Sequence, residues 1–136
     1  MKQALQRAQH SVYSLHFHLV LVTKYRRKCL TANSLRLVKV ISCDVLNRWG
    51  GDLLEFNGEA DHVHLLLTLP PNAEPSRVVG SLKTQTSQAV RAEHREHLRR
   101  FYWKPVLWSA SYCLITFGGA PLSVIRQYIE QQNRPL

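Results

Sequence analysis

Apolar side chains recur with two different periods along the chain, and the two periods predict strands and helices. Over much of the segment from Val12 to Thr23 the apolar residues occupy alternate positions, which is the period of a strand with one buried face. One predicted face carries Leu15, Phe17, Leu19 and Leu21, and the other carries Ser14, His16 and His18. The first predicted element is therefore a long strand whose second face holds two histidines.

Glycine and proline pairs separate the elements that follow, and their order predicts the fold. The predicted elements are a helix over Leu35–Trp49, strands over Leu53–Glu59 and Val63–Leu69, a helix from Pro75 to about Arg99, a strand over Tyr112–Phe117 and a helix over Pro121–Gln132. This order predicts an α+β fold of the ferredoxin-like or RRM-like plan, a βαββαβ antiparallel sheet with helices on one face and an added C-terminal helix. With 136 residues and no linker or repeat, we expect one domain over residues 1–136.

Two histidines one residue apart lie in the predicted third strand. His62 and His64 belong to the apolar run Asp61–Leu67, so both imidazoles project from the same face. Two imidazoles on a rigid strand make half of a metal site, although hydrogen-bonded core histidines are the alternative. His16 and His18 have the same spacing, but they lack a nearby acid, and we expect them to be structural or to face nucleic acid.

The last predicted helix carries a tyrosine beside its apolar stripe. Gly118-Gly119-Ala120-Pro121 is a break with proline at the first helical turn. Leu122, Ile125 and Ile129 form the stripe that faces the core. Tyr128 and Gln132, four residues apart, share the flank of this stripe and so present a phenol and a carboxamide together. An ordinary amphipathic helix with a half-buried tyrosine is the alternative.

These motifs together resemble a known family. Asp61-His62-Val63-His64-Leu65-Leu66 is similar to the His-hydrophobic-His motif of HUH endonucleases, and Gly118 to Gln132 is similar to the tyrosine helix of the single-tyrosine transposases of bacterial insertion sequences. The segments Thr23–Lys28, Ser81–Thr84 and Leu107–Tyr112 also resemble that family, in the same order. The chain is thus similar over nearly its whole length to TnpA-type transposases of the insertion-sequence 200/605 family.

The resemblance implies a reaction and a set of site residues. Tyr128 would be the nucleophile, and His62, His64 and Gln132 would hold a divalent ion, Mg²⁺ by cellular availability, with Mn²⁺ able to substitute. The substrate would be single-stranded DNA with hairpins at transposon ends, cleaved and rejoined through a 5′-phosphotyrosine. The resemblance further implies a homodimer in which the tyrosine helix of one subunit completes the site of the other, with Gly118-Gly119 as a plausible hinge.

Other functions share parts of this pattern. A replication-initiator-like nickase or a domesticated nuclease acting on chromosomal repeats would use the same chemistry. A non-catalytic module that binds RNA or single strands would share the fold, but the RNA-module aromatic signature is missing and stacking needs no Gln four residues after a Tyr.

The charge balance points to a polyanionic partner. Lys and Arg number 18 against 9 acidic residues, a formal charge of +9. Phosphate contact is expected at Lys24, Arg26, Arg27 and Lys28, where no acid interrupts the run and Tyr25 adds a stacking surface, and at Lys83. A second cluster at Arg91, Arg95, Arg99 and Arg100 is diluted by acids, and a solvated face is its alternative. Trp103 and Trp108 fit base stacking, but core or dimer-interface positions are commoner for such residues.

Cysteine usage and hydropathy suggest a cellular compartment. The three cysteines, Cys29, Cys43 and Cys113, are odd in number and lack Cys-x-x-Cys spacing, so we expect neither a disulfide framework nor a zinc knuckle. We find no apolar signal region and no run of roughly 20 apolar residues. The sequence therefore predicts a soluble, cytoplasmic protein of a bacterial or archaeal cell, nucleoid-associated in use and without a membrane partner.

Overall fold

Four antiparallel strands form one sheet with the order β2-β3-β1-β4. The computed structural model describes residues 14–117 and 122–132. Its elements are β1 (Leu15–Thr23), α1 (Ala32–Arg48), β2 (Asp52–Gly58), β3 (His62–Leu69), α2 (Pro75–Glu93), α3 (Arg95–Leu98), β4 (Trp108–Phe117) and α4 (Leu122–Gln132). The predicted ferredoxin-like plan with an added helix is confirmed.

Two predicted boundaries are wrong by four residues or more. The helix expected from Pro75 to about Arg99 ends at Glu93, because His94 leaves helical geometry (φ −120°, ψ 36°). The chain resumes as the short α3, and Leu98 and Tyr102 are then buried in the core. The last strand begins at Trp108, four residues before the predicted Tyr112, since Trp108 pairs with Thr23 across a bulge. The start predicted for β1 at Val12 lies outside the described residues.

The apolar core lies between one face of the sheet and the helices α1 and α2. The inward residues of the two central strands are at most 2 % exposed: Phe17, Leu19, Leu21, Val63, Leu65, Leu67 and Leu69. Val38, Val45 and Leu46 of α1 and Val78, Val79 and Leu82 of α2 pack against them. Each fully buried Leu or Val contributes roughly 1.5–3 kcal/mol to folding. This layer holds the central strands rigid.

The last helix lies on the opposite face of the sheet. Ile129 of α4 is buried against Leu66 of β3, and the pair packs with Phe117 and Tyr128. An ion pair between Arg126 and Glu55 links α4 to β2. The helices α1 and α2 of the ferredoxin-like plan therefore share one face of the sheet, and the added helix α4 lies on the other. None of the described helices is long and apolar enough to cross a membrane.

Candidate active site

His62 and His64 lie on β3 on the face that α1 and α2 leave uncovered. Strand alternation sends Val63 and Leu65 into the core, where both are 0 % exposed, and sends the two imidazoles to the other side. Their ring centroids are 5.0 Å apart, and the ring planes are nearly perpendicular at 81°. The predicted side-by-side arrangement of the pair is thus present on a central strand.

Asp61 orients the first of these imidazoles. The Asp61 Oδ1 atom is 2.7 Å from Nδ1 of His62, and the Asp61 Oδ2 atom is 3.4 Å from the guanidinium of Arg26. Burial alone would raise the pKa of Asp61, but the His62 hydrogen bond and the charge of Arg26 outweigh it and leave that pKa lowered. The carboxylate therefore stays ionised as an acceptor, and Nε2 is the nitrogen of His62 that remains for a ligand.

His18 of β1 orients the second imidazole. Its Nε2 is 2.9 Å from Nδ1 of His64, and the two rings stack with centroids 5.1 Å apart and planes 9° from parallel. Burial lowers the pKa of His64 to about 4, with the charges of His18 and His62 adding to the effect, and burial also lowers the pKa of His18. Both rings are neutral at pH 7, so one nitrogen donates and the other accepts.

The sequence analysis did not assign His18 to the site. The sequence signal for His18 was the His-x-His spacing on β1. The ferredoxin-like strand order places β1 beside β3. The expectation that His18 is structural or faces nucleic acid missed this contact, because the decisive facts are strand order and register. His16, on the same face of β1, has a buried Nδ1 for which no partner is found among the described residues.

Tyr128 lies over the same face as the histidines but packs against a different neighbour. Its ring is edge-on to Phe117, with centroids 5.4 Å apart. Phe117 pairs with His16, and His16 pairs with Thr68, which is four residues (68 − 64) beyond His64. At about 3.3 Å per residue, that register corresponds to roughly 13 Å along the strand. The tyrosine therefore lies over the same face of the sheet as the histidines, beside Phe117.

Parts of the predicted tyrosine segment fall outside the described residues. These are the Gly118–Pro121 break and the side chain of Gln132, whose backbone ends α4. Among the described residues, no three His, Cys, Asp or Glu side chains converge on one ion position. The two imidazoles therefore offer two ligands to an ion.

The predicted basic residues fall into two environments. Lys24 and Arg26 lie in a short turn after β1 that also contains the exposed Tyr25, over whose ring Lys24 and Arg27 lie at 5.6 and 5.9 Å. Lys28 follows and is also exposed. Lys83, in contrast, donates from Nζ to the backbone oxygens of Ser109 and Ala110 at 2.7 and 3.3 Å. Burial and the nearby charge of Lys24 lower the pKa of Lys83.

Comparison with known proteins identifies the family. The sequence model described as "Transposase IS200 like" matches residues 11–132. The chain is an IS200-like transposase. The resemblance stated from the motifs is thereby confirmed.

Individual relatives agree with this assignment. The transposase is 30% identical over 122 residues to the ISDra2 transposase TnpA of Deinococcus radiodurans, covering 90% of this chain and 86% of that protein. It is 28% identical over 123 residues to the transposase for insertion sequence element IS200 of Salmonella typhimurium, covering 90% of this chain and 80% of that protein.

Solved structures extend the similarity to the fold. A crystal structure of a Deinococcus radiodurans transposase superposes with a TM-score of 0.70 at 32% identity, covering 90% of this chain and 94% of that one. A REP-associated tyrosine transposase bound to a REP hairpin has a TM-score of 0.63 at 13% identity and shares the fold. The match covers 85% of this chain and 62% of that one.

Proposed function

We propose that this transposase cleaves and rejoins single-stranded DNA at hairpin-bearing element ends, with Tyr128 as the nucleophile and a divalent ion held by His62 and His64. The observation that carries the proposal is the pair of oriented imidazoles on the sheet face over which the tyrosine helix lies. Asp61 engages Nδ1 of His62 and His18 engages Nδ1 of His64, so both rings keep Nε2 for an ion. Histidines that bind a metal through one ring nitrogen usually have the other nitrogen hydrogen-bonded in this way.

The donor set suits a divalent ion that also binds substrate oxygens. Two imidazoles, with the Gln132 carboxamide as an expected third ligand, leave positions for phosphate oxygens and water. Mg²⁺ is the proposed ion, and Mn²⁺ suits the two nitrogen ligands. When bound, the ion would polarise the scissile phosphate and stabilise the charge that develops on its oxygens.

His18 is a positioning residue in this scheme. If His64 binds through Nε2, its proton lies on Nδ1 and is donated to Nε2 of His18. His18 then carries its own proton on Nδ1, a buried atom without a hydrogen-bond partner among the described side chains. Occupation of the site therefore selects one tautomer of each ring, and His18 contributes through the orientation of His64.

The covalent chemistry belongs to Tyr128. A phenol is protonated at neutral pH and is then a weak nucleophile, so the reaction depends on activation of the phosphate. The Tyr128 oxygen forms a bond to phosphorus as the bond to the 3′ oxygen breaks, which yields a 5′-phosphotyrosine and a free 3′-hydroxyl. The phenol loses one proton and the 3′ oxygen gains one. Attack by a 3′-hydroxyl from another DNA end reverses the step and joins strands without a nucleotide cofactor.

The polarity of the adduct tests this chemistry. A hairpin-bearing single strand is labelled at its 3′ end or at its 5′ end, incubated with protein and Mg²⁺, and run on a denaturing gel. The 3′ label should move with the protein, and the 5′ label should appear on a free shorter strand. A protein adduct carrying the 5′ label would contradict a 5′-phosphotyrosine, and cleavage undiminished by a chelator would contradict the metal.

A homodimer with composite sites is supported by two features. β4 is an edge strand of ten residues, much of it exposed, and no strand pairs with its outer side among the described residues. Such edges are templates for pairing with another chain. Tyr128 also packs on Phe117, roughly 13 Å along the sheet from His64 by strand spacing. A tyrosine helix donated by a neighbouring subunit would bring the groups together.

Complementation separates the composite arrangement from a site built within one chain. Tyr128→Phe and His64→Ala proteins are mixed, subunit exchange is verified with two differently tagged copies, and adduct formation is measured. A composite dimer contains one intact site, so activity should return. If exchange is complete and no adduct forms, the composite site is wrong while the chemistry of each residue is unaffected.

A further inference from the structure

An exposed tryptophan stands between two basic clefts whose lining residues do not include the site histidines. Trp103 is 90% exposed, whereas Trp108 is 7% exposed and donates from Nε1 to Thr86. The larger cleft has a volume of about 370 Å³ and the smaller about 130 Å³, and Trp103 and Lys104 line both. An indole this exposed offers a flat stacking surface on the ring face opposite the Lys104 ammonium, which lies 4.9 Å from the ring centroid.

We call Trp103 and Lys104, which line both clefts, the Trp103 ridge. Cations line the cleft on each side of it. Arg91, Arg95 and Arg99 line the larger cleft, and Lys24 and Arg27 line the smaller one. In the part of the chain that the structure describes, no carboxylate lines either cleft. Glu96 neutralises only Arg99, at 3.3 Å on the surface. The two basic clusters of the sequence, which are far apart along the chain, therefore meet around a single aromatic ridge.

Partly buried hydrogen bonds fix the position of the ridge. Tyr102, next to Trp103, donates its hydroxyl to the backbone oxygen of Lys24 at 2.7 Å. His97 contacts the backbone oxygen of Cys29 at 2.9 Å. The segment that carries Trp103 is thus tied to the turn after β1, so that binding here requires little ordering of the chain.

We infer that the Trp103 ridge and its two clefts bind unpaired DNA nucleotides, with a base stacked on the indole and the flanking phosphates on the arginines and lysines. The larger cleft has the volume of a small-ligand site. Stacking on an aromatic ring between cations is the usual way to hold single strands without reading their sequence. The choice of DNA rests on the proposed function.

The position of the ridge relates it to the histidines. The turn that lines the smaller cleft also contains Arg26, which pairs with Asp61, the residue that holds His62. The clefts therefore open at the end of the sheet where β3 begins. A DNA strand bound across Trp103 would extend from the ridge toward the imidazole pair. A second copy of this chain is a poorer occupant, because it also carries a charge of +9.

The test measures binding of a short fluorescent oligothymidylate without divalent metal, so that cleavage plays no part. Trp103→Leu should weaken binding roughly five- to hundredfold, the range for loss of one stacked base. Trp103→Phe, the matched aromatic variant, should recover most of the affinity. Duplex DNA of the same length should bind both variants equally, because paired bases cannot stack on the indole.

An arginine variant supplies the electrostatic control. Arg95→Gln should weaken single-strand and duplex binding together and reduce the slope of log affinity against log salt by about one. Unchanged single-strand affinity in Trp103→Leu would overturn the inference, as would a change of oligomeric state in that variant with DNA affinity intact. If the ridge binds DNA but the protein never forms an adduct with metal present, the proposed function fails and this inference stands.

Discussion

The two faces of the sheet use the same strands for different purposes. On the covered face, alternate residues of β1 and β3 are apolar, at most 2 % exposed, and packed under α1 and α2. On the open face, the residues between them include His18, His62 and His64, which contact one another. The difference shows how a rigid apolar layer holds polar groups in fixed positions on the other face of the sheet, and four sets of variants test it.

The largest expected effect is on the open face, at Tyr128. Tyr128→Phe should reduce adduct formation by about four orders of magnitude or more, the scale seen when a nucleophile is removed. Binding of the hairpin strand should be unchanged, because the phenolic oxygen serves chemistry and not affinity. A denaturing gel and fluorescence anisotropy measure the two quantities. Tyr112→Phe on β4 is the matched control and should retain cleavage, whereas an adduct formed by Tyr128→Phe would exclude Tyr128 as the nucleophile.

Neighbouring residues on opposite faces give the second test. Leu65→Ala should lower the free energy of unfolding by about 2–5 kcal/mol, because a cavity opens in the core. His64→Ala should cost less stability but remove metal-dependent cleavage, since a ligand is lost. Chemical denaturation of metal-free protein and cleavage per folded molecule measure these effects. The division between the faces is wrong if His64→Ala retains its affinity for divalent ions.

The third test compares the two histidines of β1. His18→Ala should weaken divalent ion binding by about 10- to 100-fold through the loss of orientation of His64. His16→Ala should have a smaller effect, because its ring is not hydrogen-bonded to His64. Calorimetry with Mn²⁺ measures affinity, and ¹⁵N NMR of His64 reports its tautomer. Restoration of both readouts by His18→Gln, which keeps a hydrogen-bonding group, would support positioning. Equal losses in His16→Ala and His18→Ala would count against it.

The smallest expected effect concerns the ion pair that links α4 to the sheet. Arg126 and Glu55 are partly exposed, so Arg126→Gln should cost no more than about 1 kcal/mol of docking free energy. Faster hydrogen exchange confined to the α4 amides would show this loss, and added salt should produce the same change in the unmodified protein. Arg91→Gln on α2 is a control that should leave α4 exchange as it was.

Local patterns predicted most of the fold but less of the site. The shared face of His62 and His64 follows from strand alternation, which is a property of three successive residues. The contact of His18 with His64 depends on which strands are neighbours and in what register, so spacing within β1 was insufficient. The position of Tyr128 beside Phe117 depends on how α4 docks on the sheet. The helical period of the sequence predicts only which side of α4 faces inward. Trp103 and Trp108 look alike in sequence, and tertiary packing alone buries the second.

The central location of β1 and β3 also affects how the protein responds to heat. Central strands under a packed core are among the last segments to open, whereas a helix opens early when, among its described residues, a small apolar cluster and a surface ion pair hold it. The imidazole pair should therefore survive temperatures at which the tyrosine helix has already come away. Thermal inactivation would then precede unfolding of the sheet, and it would be reversible as long as the sheet remains intact.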